Sequence, residues 1–389
     1  MKAPLLAQRM RGIAPFRVMD ILARAKGLEA AGHDVVHMEV GEPDFPAPAP
    51  VIAAAQAALQ SGKTHYTPAG GIGALREALA TYYSEHFNVS VSPKRIVITP
   101  GASGALQLVL GVLINHGDRV WVQDPGYPCN RHMIEMYGGI ATPLPVMPDG
   151  VDSEQVLGVV DEASRALMFA SPANPTGEVI RADQLAEIYR GLDLDRQVMI
   201  VDEIYQGLEY GHSPETALKL GEDGLFVINS FSKFFGMTGF RVGWVVAPSA
   251  YVEALERLAQ NLFLAPPTVA QYGALAVFDD AVMVELERRR RVYEQRRDGL
   301  FQGLKSLGFA LPDAPPPGAF YLYAGLNGLA DSGEAFANAL LEKQRVAVTP
   351  GVDFGVQGTR DHVRFAYTTS GEQIEKGLER IENYLRIAD

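Results

Sequence analysis

Five short apolar runs punctuate the first two-thirds of the chain, and each stops at a polar or glycine-rich stretch. They are Arg95–Thr99, Arg119–Val122, Ala166–Ala170, Val198–Val201 and Leu225–Asn229. Runs this short, apolar at consecutive positions, predict strands covered on both faces. Helical patterns lie between them from about Pro48 to about Phe278. That alternation predicts an α/β fold around a mainly parallel sheet, with ligands beyond the carboxyl ends of the strands. A charged helical pattern follows over Val282–Leu304. Beyond it, Phe320–Tyr323, Val346–Thr349 and His362–Ala366 read as strands of a smaller α+β domain closed by a helix over Glu372–Ile387. Pro312–Pro317 is too close to the first of these to be a linker and reads as a rigid turn. The segment before Gly41, with a helix over Val18–Ala31, has no core of its own.

The residues at the strand ends carry chemistry. Leu225–Asn229 runs into Ser230-Phe231-Ser232-Lys233, with Arg241 eight residues on. A lysine there can form a Schiff base with an aldehyde cofactor, while the hydroxyls and the guanidinium hold a phosphate on it. Taken alone, Ser-x-Ser-Lys would be a surface lysine. Val198–Val201 ends in Asp202, with Tyr205 three residues later. A carboxylate at the end of a buried strand needs a positive partner, and a protonated pyridine nitrogen is one. A plain helix N-cap is the other reading of Asp202. Strand alternation points Glu203 the opposite way. Ala166–Ala170 leads into Asn174-Pro175-Thr176-Gly177, an ordinary turn by composition but one that can aim an amide at a ring oxygen, as Tyr205 can aim a hydroxyl. After Arg95–Thr99, Gly101-Ala102-Ser103-Gly104 opens a helix whose free N–H groups form a phosphate seat. No Gly-Lys-Ser/Thr follows, so this is not a nucleotide loop. Tyr127, beyond Arg119–Val122, either stacks on the cofactor ring or packs as a turn aromatic.

In this order and spacing, the motifs resemble those of fold-type I pyridoxal phosphate enzymes, specifically the class I/II aminotransferases of the aspartate, aromatic and alanine type. The resemblance runs almost end to end, from Gly41–Phe45 and Tyr66–Gly73 to His362–Phe365. It implies a large domain over 48–285 with a seven-stranded sheet, and a small domain built from 1–47, partly a dimer-clasping arm, and 286–389. It implies pyridoxal 5'-phosphate on Lys233, with Asp202 at the ring nitrogen and Asn174 and Tyr205 at the 3'-oxygen. Ala102, Ser103, Ser230, Ser232 and Arg241 would hold the phosphate, joined by Tyr66 from the other subunit of a homodimer. Tyr127, where some members have tryptophan, would stack on the ring. Arg364 would clamp the substrate α-carboxylate, with Gly41 and Asn174 beside it. The implied reaction is ping-pong exchange of an amino group between an α-amino acid and a 2-oxo acid, 2-oxoglutarate by default. Carbon–sulfur β-lyases share the same site.

Composition narrows the partners. A net charge of −12 over 389 residues argues against nucleic acid and anionic membranes. It also argues against a DNA-binding regulator built on this fold. The single cysteine, Cys129, excludes an intrachain disulfide and fits a reducing, cytoplasmic compartment. The apolar run near Met1 is too short for a secretory signal, and no stretch approaches the ~18 apolar residues of a membrane helix. His33 and His37 have the spacing of two metal ligands on a helix, but their surroundings read as strand, so no metal is assigned. Arg288–Arg291 alternates with glutamates and reads as a solvated helix face. A dicarboxylate substrate needs a second cation; Asn261–Ala270 holds none, and Arg17 and Arg24 are the alternatives. Together with Phe16, that segment predicts an apolar pocket for alanine, branched or aromatic donors.

Overall fold

The computed structural model describes residues 5–145 and 150–388; residues 1–4 of the N-terminal run lie outside this range. In chain order its strands are β1 (Val36–His37), β2 (Ile96–Thr99), β3 (Arg119–Asp124), β4 (Ile140–Pro145), β5 (Ser164–Ala170), β6 (Val198–Asp202), β7 (Leu225–Ser230), β8 (Gly243–Val246), β9 (Tyr321–Gly325), β10 (Val346–Ala347), β11 (Thr349–Pro350) and β12 (His362–Ala366). Seven form one sheet in the order β2-β8-β7-β6-β5-β3-β4. All its neighbours pair in parallel except β8, which runs antiparallel between β2 and β7. The sheet is therefore mainly parallel and covered by helices on both faces.

Strand alternation divides its side chains between two cores. Leu167, Phe169, Met199, Val201 and Trp244 face one. Ala166, Met168, Ile200, Phe226 and Val245 face the other, against the helix Gly101–Leu113. Every residue of β6, β7 and β8 is buried, so these strands read as unbroken apolar runs.

A third core joins the two ends of the chain. Ile21 and Ala25 of the helix Arg17–Ala30 meet Leu300, Phe301 and Leu304 of the helix Asp280–Ser306, together with β9, β12 and Ile374 and Ile381 of the helix Gly371–Ala388. The strand expected over Val346–Thr349 is divided. Val346 pairs in parallel with Val36, whereas Thr349 pairs antiparallel with Arg364. Val348, fully buried between them, marks where the backbone leaves one small sheet for the other. The Arg288–Arg291 run also differs from expectation. Arg288 and Arg291 are exposed, but Arg289 and Arg290 are largely covered and donate to the carbonyls of Pro46 (2.6 Å) and Glu209 (3.1 Å). His37 lies in β1 as a strand residue, between Glu29 and Glu39. Among the described residues no helix is long and apolar enough to cross a membrane.

Candidate active site

A cavity of about 370 Å³ opens where β5 and β6 end, between the large sheet and the third core. Lys233, Asp202, Tyr205, Asn174, Tyr127, Ala102, Ser103, Ser232, Arg241, Gly41 and Arg364 all line it. Two residues expected at the cofactor phosphate do not. Ser230 lies deeper, its hydroxyl 2.9 Å from Ser232 Oγ and 3.0 Å from the Val242 carbonyl. Tyr66 is 82% exposed, on the surface of its own chain.

Anion-binding character gathers at the start of the helix Gly101–Leu113. Pro100 precedes it and supplies no side-chain cap, which leaves first-turn N–H groups open to a ligand. Gly101 has φ +71°, and a Cβ there would stand 2.7 Å from Arg241 Nη2. Only glycine fits both the turn and the guanidinium above it. Arg241 itself is left-handed, at φ 54°, and Nη1 donates to the Thr238 carbonyl at 2.9 Å.

At the centre of the cavity, Lys233 Nζ donates to the Gly41 carbonyl at 2.6 Å. Burial brings its pKa down to about 8, against the opposing pull of the Glu42 carboxylate. Asp202 is 5% exposed, and burial pushes its carboxyl up to about 7, while the Ile204 N–H and the charge of Lys233 act the other way. The Ile204 N–H···Oδ1 bond, at 3.0 Å, is a turn cap. Asp202 thus caps the turn after β6 and also faces the cavity. Glu203 points away, accepting from Gln206, Thr216 and the Ala217 N–H.

The far wall belongs to Arg364 on β12. Its Nη1 donates to Asn174 Oδ1 at 2.9 Å and its Nη2 to the Glu39 carbonyl at 2.5 Å. The guanidinium lies between the rings of Tyr321 (4.3 Å) and Phe354 (4.7 Å). Nε is buried without a partner. A buried cation held only by neutral groups, with a donor to spare, fits an incoming carboxylate. Tyr205 Oη lies 2.7 Å from Tyr321 Oη, and Phe16 meets the Tyr127 ring edge-on at 6.1 Å.

Tyr321, Glu42, Val18 and Met19 also line the cavity. The sequence reading missed them because apolar and aromatic residues at strand and helix spacing look like core. Glu42 had a signal, its place in the Gly41–Phe45 motif. Arg17 pairs with Glu334, and Arg24 with Asn338 and Glu342; neither lines the cavity. The segment Asn261–Ala270 is also absent from the lining of its own chain.

Residues 33–381 match the model of the family described as aminotransferase class I and II. The chain belongs to this family. It is an aminotransferase of fold type I, exchanging an amino group between an amino acid and an oxo acid, and members of the family generally use pyridoxal phosphate. It is 36% identical to a (5-formylfuran-3-yl)methyl phosphate transaminase of Methanocaldococcus jannaschii, over 98% of this chain and 100% of that one. A valine–pyruvate aminotransferase of Mycobacterium tuberculosis is 35% identical, over 96% and 97%. A crystal structure of an aminotransferase from Mycobacterium tuberculosis superposes with a TM-score of 0.94 at 35% identity, covering 99% and 100%. For this aminotransferase the open helix start, the buried carboxyl of Asp202 facing the cavity, the softened lysine and the spare donor of Arg364 form a set of groups that fits a phosphate, a pyridinium, an aldehyde and a carboxylate.

Proposed function

We propose that this enzyme carries pyridoxal 5'-phosphate on Lys233 and transfers amino groups from apolar α-amino acids to 2-oxoglutarate or a similar 2-oxo acid. Bound there, the cofactor supplies an aldehyde carbon that joins amines and a protonated ring that takes up an electron pair. The helix start at Ala102–Ser103, with Ser232 and Arg241, holds the phosphate, and Ser230 orients Ser232. Asp202 keeps the ring nitrogen protonated. Asn174, whose Oδ1 is occupied by Arg364, has its amide N–H left for the 3'-oxygen, and Tyr205 donates to the same atom. Tyr127 stacks on the ring. Arg364 grips the substrate α-carboxylate next to Gly41, and Lys233 Nζ moves a proton to and from the substrate Cα. A lysine whose pKa burial has lowered to about 8 is partly neutral near pH 7–8 and can do this.

The observation that carries the reading is that Lys233 and Asp202 face one cavity together with Tyr205, Asn174 and Arg241, where burial pushes both the amine and the carboxyl toward neutrality. The donor assignment rests on the walls, where Phe16, Val18, Met19 and Leu106 line the cavity and both Arg17 and Arg24 are engaged elsewhere. Exposed Tyr66, Leu262 and Leu264 support a homodimer in which Tyr66 reaches the partner's phosphate. The third core, drawn mainly from residues 21–38 and 293–381, supports the domain limits 1–47, 48–285 and 286–389, and the lone Cys129 a reducing, cytoplasmic setting. Borohydride reduction of the yellow holoenzyme, followed by peptide mapping, is expected to place the label on Lys233. A colourless protein after incubation with the cofactor, or a label on another lysine, overturns the proposal.

A further inference from the structure

Tyr321 belongs to none of the cofactor motifs, yet it meets three parts of the cavity. Its ring lies under the Arg364 guanidinium at 4.3 Å, and its hydroxyl is 2.7 Å from that of Tyr205. A Cβ on Gly41 would stand 1.7 Å from the same hydroxyl, so the Gly41 backbone, whose carbonyl accepts from Lys233, is packed against it. Tyr321 is 1% exposed, and its position on β9 is fixed by pairing with Ala366 of β12, two residues from Arg364.

Two hydroxyls at this distance share one hydrogen, and its direction matters. Among the described residues Tyr205 Oη is the only hydrogen-bond partner of Tyr321 Oη, whereas Tyr205 also faces Lys233, whose Nζ lies 5.8 Å from its ring centre. Burial raises both phenols, and the Arg364 charge acts against that rise at each. Tyr205 Oη is thus the one acceptor in reach of the Tyr321 hydroxyl among the described residues, so the shared hydrogen runs from Tyr321 to Tyr205. We infer that Tyr321 is a positioning residue with two separable contributions: its hydroxyl commits the Tyr205 proton to the cavity and the cofactor 3'-oxygen, and its ring supports Arg364 as the carboxylate clamp. The inference rests on the cofactor reading above.

The test uses holoenzyme. A hydrogen bond donated to the 3'-oxygen favours its anionic form, so weakening that bond raises the pH midpoint of the absorbance change of the bound cofactor. Tyr321→Phe keeps the ring and is expected to raise the midpoint by roughly half a unit to one unit, with KM for the amino donor within about twofold of wild type. Tyr205→Phe is expected to shift the midpoint at least as far, and the double variant no further than Tyr205→Phe alone, because Tyr321 acts through Tyr205. Tyr321→Leu removes the ring and is expected to raise the donor KM roughly tenfold, the loss of a cation–π contact inside a desolvated site. A yellow Tyr321→Phe protein with an unmoved midpoint, or shifts that add in the double variant, overturns the hydroxyl role. Equal KM values in the Phe and Leu variants overturn the ring role, and if the Leu variant does not fold the Phe variant still decides the first. Failure of Lys233 to take the borohydride label would instead strike the cofactor reading, so the two failures are distinguishable.

Discussion

The buried carboxyl of Asp202 sets up opposite expectations for chemistry and for stability. Asp202→Asn removes the charge proposed to keep the ring nitrogen protonated, and turnover is expected to fall at least 100-fold in steady-state assays, with a smaller change in KM. Near-normal turnover would reduce Asp202 to a turn cap. Stability should move the other way in cofactor-free protein. The folded pKa of about 7 lies above the ordinary value of 3.8, so the folded state holds this proton after the unfolded state has released it. The resulting cost is absent below about pH 4, grows as pH rises and is complete above about 7. Asparagine can still accept from the Ile204 N–H and never ionises. The cofactor-free variant should therefore melt together with wild type at pH 4 and roughly 2–4 kcal/mol more stable at pH 8, a gap of several degrees in a melting curve. Arg364→Lys belongs to the same scale. A point charge cannot replace the fork that holds Asn174 and the Glu39 carbonyl and is proposed to grip a substrate carboxylate. The donor KM should rise by roughly 10- to 100-fold, as read from initial rates. Lys233 and Asp202 were legible because they stand where apolar runs end, whereas Arg364, in the middle of β12, was legible only through the His362–Phe365 motif of the family resemblance. Tyr321 was not, because an aromatic within a strand has the same signature whether it packs or positions.

At the scale of elements, the proposed phosphate seat depends on how closely β8 approaches the helix Gly101–Leu113. A Cβ at Gly243 would lie 2.7 Å from Gly101 C, 2.8 Å from Ala102 N and 2.8 Å from the Asn229 carbonyl. These are backbone atoms, so Gly243→Ala must displace the helix start or the strand. Its affinity for pyridoxal phosphate is expected to fall more than tenfold, measured by fluorescence titration of the cofactor-free protein. Unchanged affinity would mean that the helix start is not the seat. Five of the seven strands of the large sheet were readable, since full burial on both faces leaves an apolar run. β4 and β8 were not, and the antiparallel direction of β8 was hidden as well, because parallel and antiparallel buried strands carry the same residues. Nor was the division at Val348, where one apolar run serves two small sheets.

At the scale of the whole molecule, Tyr66 at 82% exposed and the exposed Leu262 and Leu264 sit close together. The Thr268 hydroxyl donates to the His65 carbonyl at 2.7 Å, and Gln271 donates to Thr67 at 3.1 Å. If this face meets a second copy and Tyr66 serves the partner's site, two inactive chains should complement. Hybrid dimers of Lys233→Ala and Tyr66→Ala chains place both lesions in one site and leave the other intact, so they should regain about half of wild-type activity per dimer. No rescue in verified hybrids would assign Tyr66 to its own subunit or the enzyme to a monomer.

The sequence alone determined the layered sheet and pointed to most of the polar side chains that line the cavity at its strand ends. Both follow from local rules, a strand's period and burial on one side and the reactivity of single side chains on the other. Only the tertiary structure decided which cations remain available. Arg17 and Arg24 are engaged by the helix Gly333–Gln344, while Arg364 is left among neutral groups with a donor unpaired. It also decided that the walls come from Phe16, Val18 and Met19 near one end of the chain and Tyr321 near the other. Such pairings join residues about 300 positions apart. No periodicity encodes them, because they arise from how the third core draws the two ends of the chain together.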